Sequence, residues 1–122
     1  MVLKDNLYII TSEDIDNGIF NIRLKEDCFI YAAHFPDFPI TPGVCVIQIV
    51  KELAEILFNQ TLTLKSIKNA KFLKVMQPND TEYCVNIKVK KQEDNSISFQ
   101  SVISDKDDNS YAKLSLQTSI EK

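Results

Sequence analysis

Residues 43–58 read GVCVIQIVKELAEILF, the one segment of the chain with helical spacing: Val46, Val50, Leu53 and Leu57 recur at steps of three and four. A second apolar set, Ile47, Ile49 and Ile56, widens that stripe, so the helix has to be covered over most of its circumference. What remains is Gln48, Lys51, Glu52, Glu55 and Asn59, which the pattern reads as a solvated stripe.

Outward from this helix, alternation of apolar and polar residues takes over. On the amino side it marks strands at Leu7 to Ile10, Ile19 to Leu24 and Cys28 to Ala33; on the carboxyl side it returns at Leu62 to Phe72, Thr81 to Lys91, Ile97 to Ser104 and Tyr111 to Ser119. Each is half-buried by pattern. The breaks are built of turn formers, most clearly Asp16-Asn17-Gly18, Gln77-Pro78-Asn79-Asp80, Glu93-Asp94-Asn95 and Asp105 to Asn109, so hairpins are the natural connections. One nearly all-apolar helix among six or seven strands predicts an α+β architecture in which an antiparallel sheet wraps the helix.

The chain has 122 residues, the size of one domain, and nothing in residues 1–122 looks like a linker between two. A chain this short leaves about a third of its unfolded surface exposed after folding, so self-association would add stability. The net charge of −3, with lysines scattered rather than gathered, argues against nucleic acid as a partner. Lys88, Lys90 and Lys91 alternate with apolar residues and read as the wet side of a strand. The first residues lack a signal-peptide core, and no stretch approaches the roughly 18 apolar residues that span a bilayer, so a cytoplasmic protein off the membrane is expected. Cys28, Cys45 and Cys84 are odd in number and widely spaced, which suits neither a disulfide framework nor a zinc site; all three read as small buried apolar residues.

The chemistry concentrates just before the helix, in His34-Phe35-Pro36-Asp37-Phe38-Pro39-Ile40-Thr41-Pro42-Gly43-Val44. This run holds the only His, three of the four Pro and one of the two Gly. Each Pro fixes φ near −65° and biases its predecessor towards extended backbone, so the loop is stiff. Gly43 stands where the helix begins, with unpartnered N–H groups and the positive end of the helix dipole facing the loop. A thioester carbonyl would be polarised there, and the missing Cβ lets a ligand come close.

The run resembles the active-site loop of the hotdog-fold 3-hydroxyacyl-acyl-carrier-protein dehydratases, His-Phe-Pro-Gly-x-Pro-x-x-Pro-Gly-Val. His34, Phe35, Pro36, Pro39, Pro42, Gly43 and Val44 all match. Ala70-Lys71-Phe72-Leu73-Lys74-Val75 followed by Gln77-Pro78-Asn79-Asp80 is similar to a second stretch of the same family, Lys-Phe-x-x-x-Val-x-Pro-Gly-Asp. With the strand pattern the resemblance spans about residues 18 to 118. It implies a hotdog fold, His34 as general base and acid, the Gly43 amide as the binder of the thioester carbonyl, and Phe35, Phe38, Pro42 and Val44 as substrate-binding residues. An imidazole titrates near working pH and can both take and return a proton in one turnover. Phe38 either lines the mouth of an acyl channel or packs against a partner subunit.

One departure bears on the chemistry. Where the family carries a catalytic Glu or Asp on the helix, this chain has Gln48, which can orient a hydroxyl or a water but cannot exchange a proton at neutral pH. One turn on, where the family often has Gln, stands Glu52, so acid and amide look exchanged; Glu52 then supplies the proton, or it belongs to the solvated stripe. The resemblance implies a homodimer or dimer-based oligomer, an acyl-carrier-protein or coenzyme A thioester as substrate, and no metal or redox cofactor. The expected reaction is dehydration of a (3R)-3-hydroxyacyl thioester to the trans-2-enoyl thioester. The alternatives are an acyl-thioester-binding or thioesterase hotdog protein, and a catalytically attenuated partner subunit of a dehydratase.

Overall fold

The computed structural model describes residues 2–33 and 37–121. In chain order these form β1 (Tyr8–Asp14), a 3-10 turn (Ile15–Asn17), β2 (Ile19–Leu24), α1 (Phe29–Ala33), α2 (Gly43–Phe58), β3 (Leu62–Phe72), β4 (Tyr83–Gln92), β5 (Ser96–Ser104) and β6 (Ser110–Ile120). The strands make one sheet in the order β1-β2-β4-β5-β6-β3, with every pairing antiparallel. Hairpins join β4, β5 and β6. β3 instead crosses to the far side of β6, which leaves β1 and β3 as the two edges.

The helix forms the centre of the core, as its spacing predicts. Ile49, Val50, Leu53 and Ala54 are fully buried in one cluster with Phe20, Ile22, Val85, Ile97, Phe99, Ile103 and Leu116 of the sheet. Each such aliphatic side chain contributes about 1.5–3 kcal/mol on burial, so this face of α2 outweighs its intrinsic propensity, which several β-branched residues weaken. Asn59 ends the helix in the left-handed conformation, φ 53°, its N–H bonding back to Glu55 and Ile56. Gly18 is the one glycine whose backbone demands it. Its φ is +66°, and a Cβ there would lie 2.4 Å from the carbonyl oxygen of Ile87.

Three expectations are corrected. Residues Cys28 to Ala33 are not a strand: 29–33 form α1, with the Tyr31 N–H on the Cys28 carbonyl. Ile30 and Tyr31 are buried side by side while Phe29 is 75% exposed, a phase that alternation cannot produce. A run of six residues is too short for periodicity to separate the two states. β3 is not evenly half-buried, because register shifts between Leu64 and Ser66 and between Ile67 and Asn69 each reset which face points inwards. Ile67 consequently faces out. Of the cysteines, Cys28 and Cys45 are buried but Cys84 is only partly so.

β1 also continues to Asp14, through exposed residues with no apolar signal, held by backbone pairing to β2 and by Asn21 donating to Ser12 at 2.7 Å. Among the described residues no helix is long and apolar enough to cross a membrane.

Candidate active site

His34 and Phe35, the first two candidates in the loop, lie outside the described residues. Tyr31, buried on α1, shares a 2.8 Å hydrogen bond with the hydroxyl of Thr41, ten residues on and also buried. Burial pushes the Tyr31 phenol well above its ordinary range, partly offset by that bond, so it stays protonated at any working pH. The Thr41 N–H donates to the Met76 carbonyl at 2.9 Å. Thr41, near the carboxyl end of the loop, is therefore pinned twice, to α1 and to the segment after β3.

Pro42 caps α2 with extended backbone, φ −59° and ψ 145°, and no side-chain hydrogen bond caps the helix. The Cys45 and Val46 N–H groups turn back to the Pro42 carbonyl at 2.9 and 3.1 Å. The Gly43 and Val44 amides have no acceptor within the helix, which makes this end a site for negative charge on an oxygen. A cleft of about 370 Å³ opens here, lined by Ile40, Thr41, Pro42, Gly43, Val46, Phe72, Leu73, Val75, Met76 and Tyr111 among others. Its walls are mostly apolar.

Phe72 is the residue that sequence reasoning did not place. A Cβ on Gly43 would meet its ring at 3.0 Å, so the space a side chain would fill is occupied by this ring, which is itself 49% exposed. The sequence offered only the Lys71-Phe72 match, with no role attached. Phe38 and Val44 are exposed, at 55% and 69%. At the back of the cleft Tyr111 stacks edge-on against Tyr83, centroids 4.9 Å apart, and donates to Asp105 at 2.9 Å. Desolvation, then that carboxylate, push the Tyr111 phenol up to about 12.

Gln48 and Glu52 do sit together, one turn apart, with Gln48 Nε2 donating to Glu52 Oε2 at 2.9 Å. They border a different groove, of about 720 Å³, on the face of α2 that also carries Lys51 and Glu55. The expectation of a solvated stripe is corrected here. Glu52 is only 7% exposed, and its carboxylate accepts from the Leu3 N–H (2.7 Å), the Lys4 N–H (2.8 Å) and the Tyr8 hydroxyl (2.9 Å) as well as from Gln48. Glu55 accepts from the Leu62 N–H at 2.9 Å and pairs with Lys51 at 3.5 Å. These polar side chains fasten neighbouring segments to α2, which periodicity alone could not reveal because the donors are backbone groups remote in sequence.

The Cys45 thiol, behind the cleft, is pushed up by burial and then by neighbouring Cys28, the opposite of what a nucleophile needs.

Comparison with known proteins identifies the family and the fold. The family model described as ApeI-like, ApeI dehydratase, matches residues 11–115. The chain is 32% identical over 110 residues to the 3-hydroxyacyl-acyl-carrier-protein dehydratase FabZ of Rickettsia felis, covering 84% of this chain and 74% of that one. The FabZ of Rickettsia bellii is similar to the same extent. Among solved structures, the dehydratase heterocomplex ApeI:P from Xenorhabdus doucetiae superposes with a TM-score of 0.68 at 20% identity, covering 91% of this chain and 96% of that one. A hypothetical thioesterase with coenzyme A from Streptococcus pneumoniae gives 0.66 at 11% identity, covering 93% and 85%. The two solved structures show that the architecture is the hotdog fold, while the match across residues 11–115 and the dehydratase relatives show more: this chain belongs to the ApeI-like dehydratase family.

Proposed function

We propose that the chain removes water from a (3R)-3-hydroxyacyl thioester carried on acyl carrier protein, giving the trans-2-enoyl thioester. One observation carries this reading: the family match runs through an apolar cleft of about 370 Å³ that opens on the uncapped amides at the start of α2. The thioester carbonyl binds the Gly43 amide, and the helix end stabilises the charge that gathers on its oxygen as C2 loses a proton. His34 takes that proton. The C3–O bond then breaks, and the imidazolium returns the proton to the departing hydroxyl, so one water leaves and His34 is restored. Gln48 holds the hydroxyl or the water in place without exchanging a proton.

Within one chain Gly43 and Gln48 open on different clefts. This supports a site shared between two copies, in which His34 of one faces α2 of the other across a tunnel for the acyl chain. β3 is an edge strand, and the exposed Ile67, Phe72, Leu73 and Val75 on and beside it supply apolar surface for such a homodimer.

The test follows enoyl formation and thiol release separately, with 3-hydroxybutyryl and longer 3-hydroxyacyl groups on acyl carrier protein and on coenzyme A. Enoyl product from the parent, lowered about 10²- to 10⁴-fold in His34→Ala, is expected. Thiol release in its place would make the chain a thioesterase. Gln48, where the resemblance leads one to expect an acid, favours one further reading, a subunit that works beside an active partner; it predicts no product alone and product on mixing with a cognate dehydratase chain. Sedimentation of the parent and of Ile67→Asp checks the dimer.

A further inference from the structure

Glu52 shares its face of α2 with Gln48, yet its surroundings are those of an anchor. Its two oxygens receive four donors: Oε2 from the Leu3 N–H and Gln48 Nε2, Oε1 from the Lys4 N–H and the Tyr8 hydroxyl. An ionised carboxylate offers about four acceptor positions and no donor. All four are in use. Leu3, Leu7 and Tyr8 are buried beside it, so the amino-terminal segment is held by packing and by this one carboxylate together.

The arrangement settles which way the Gln48 amide faces. Oxygen and nitrogen of a Gln side chain have the same shape, and only the hydrogen-bond network distinguishes them. Against an acceptor-only group the NH₂ must be the near atom, and Oε1 is directed away. We propose that Glu52 is a positioning residue: it clasps the amino-terminal segment onto α2 and, through the same carboxylate, sets the direction of the Gln48 amide. This rests on the reading of Gln48 as the group that faces the substrate hydroxyl. The donors at Leu3, Lys4 and Tyr8 all precede residue 11, where the family match begins. A side chain oriented before substrate arrives costs no reorganisation at the moment of reaction.

Glu52→Gln tests this, because it puts an NH₂ where an acceptor is needed and takes away the acceptor-only group that faces the Gln48 amide. The expected result is a kcat for enoyl formation about tenfold lower with KM within about twofold of the parent, the pattern of lost positioning rather than lost binding. Adding Gln48→Ala to Glu52→Gln should cost little more than either change alone. A second readout does not depend on turnover. In ¹⁵N-labelled protein the side-chain amide signals of Gln48, assigned by their loss in Gln48→Ala, should shift in Glu52→Gln and, less, in Tyr8→Phe. If Glu52→Gln does not fold, Tyr8→Phe decides, since it removes one hydroxyl and leaves the ring: about a twofold fall in kcat with moved Gln48 signals is expected. Unmoved signals, or a folded Glu52→Gln with parental kcat, overturn the proposal. A parent that makes no enoyl product, alone or mixed, sinks the dehydratase reading instead, and the amide signals still decide the clasp.

Discussion

The two flanks of α2 are built to different standards of completeness. On the groove side, Glu52 is saturated by donors from the amino-terminal segment and Gln48, and Glu55 holds the Leu62 N–H and Lys51, so that face is fastened by the chain's own segments. At the amino end of the helix the amides have no side-chain cap, and Phe72, Leu73 and Val75 stay largely exposed around an apolar cleft. A buried carboxylate has to be fully satisfied or it destabilises the fold. An open apolar cleft costs far less, and it is the part that a substrate or a second copy completes. The flank fastened by Glu52 therefore carries more of the stability and presents Gln48 beside its groove, while the open flank offers an acyl thioester an apolar wall and the helix amides.

Substitutions on the two flanks should separate along that line. The largest effect is expected from Glu52→Ala, which strands the buried Leu3 N–H and Tyr8 hydroxyl and the part-buried Lys4 N–H: about 3 kcal/mol of stability lost, read as a fall in the urea midpoint. Phe72→Ala, on the half-exposed ring, should cost less than about 1 kcal/mol. Equal losses from the two would erase the contrast.

A smaller effect tests the open flank alone. In Gly43→Ala the new methyl meets the Phe72 ring at 3.0 Å, and the ring, being exposed, can swing into the cleft. Stability should stay within about 0.5 kcal/mol, while KM rises about threefold or more as the cleft narrows. Adding Phe72→Ala should bring KM back down; a KM that stays high would mean the methyl itself blocks the amide.

The smallest effect lies in the turn behind the cleft. Around Asp105 desolvation acts to raise the carboxyl, but bonds from Asn109, Tyr111 and Asp107 outweigh it and leave its pKa at about 2, below the ordinary 3.8. A carboxyl depressed by folding stabilises the protein above its unfolded pKa, and that contribution fades as pH falls from about 4 towards 2. Asp105→Asn should accordingly lower the urea midpoint modestly across the neutral region and flatten the acid limb, the two profiles drawing together as pH falls towards 2.

Much of this was legible in the residues. α2 spans Gly43–Phe58 as read, because an apolar stripe at steps of three and four over sixteen residues has no competing interpretation. β2 also lies where its alternation reads, at Ile19–Leu24, and the candidate loop showed itself through its prolines. The misread segments were those where period carries little information: the six residues before His34, too short to tell strand from helix, and β3, whose alternation is broken by its bulges. The site was legible as a set of residue types but not as a geometry.

The sequence by itself determined the elements with a strong local signal, namely the central helix, the turns between strands and the proline-stiffened loop with Gly43 at its end, since propensity and periodicity act within a few residues. Tertiary structure alone decided that Phe72 lies over Gly43, that Thr41 meets Tyr31, and that Glu52 holds Leu3, Lys4 and Tyr8. Those contacts join residues from 10 to 49 positions apart. A hydrogen bond or a packed ring leaves no periodic trace in the chain; it exists only once the sheet has closed around the helix and brought the partners into reach.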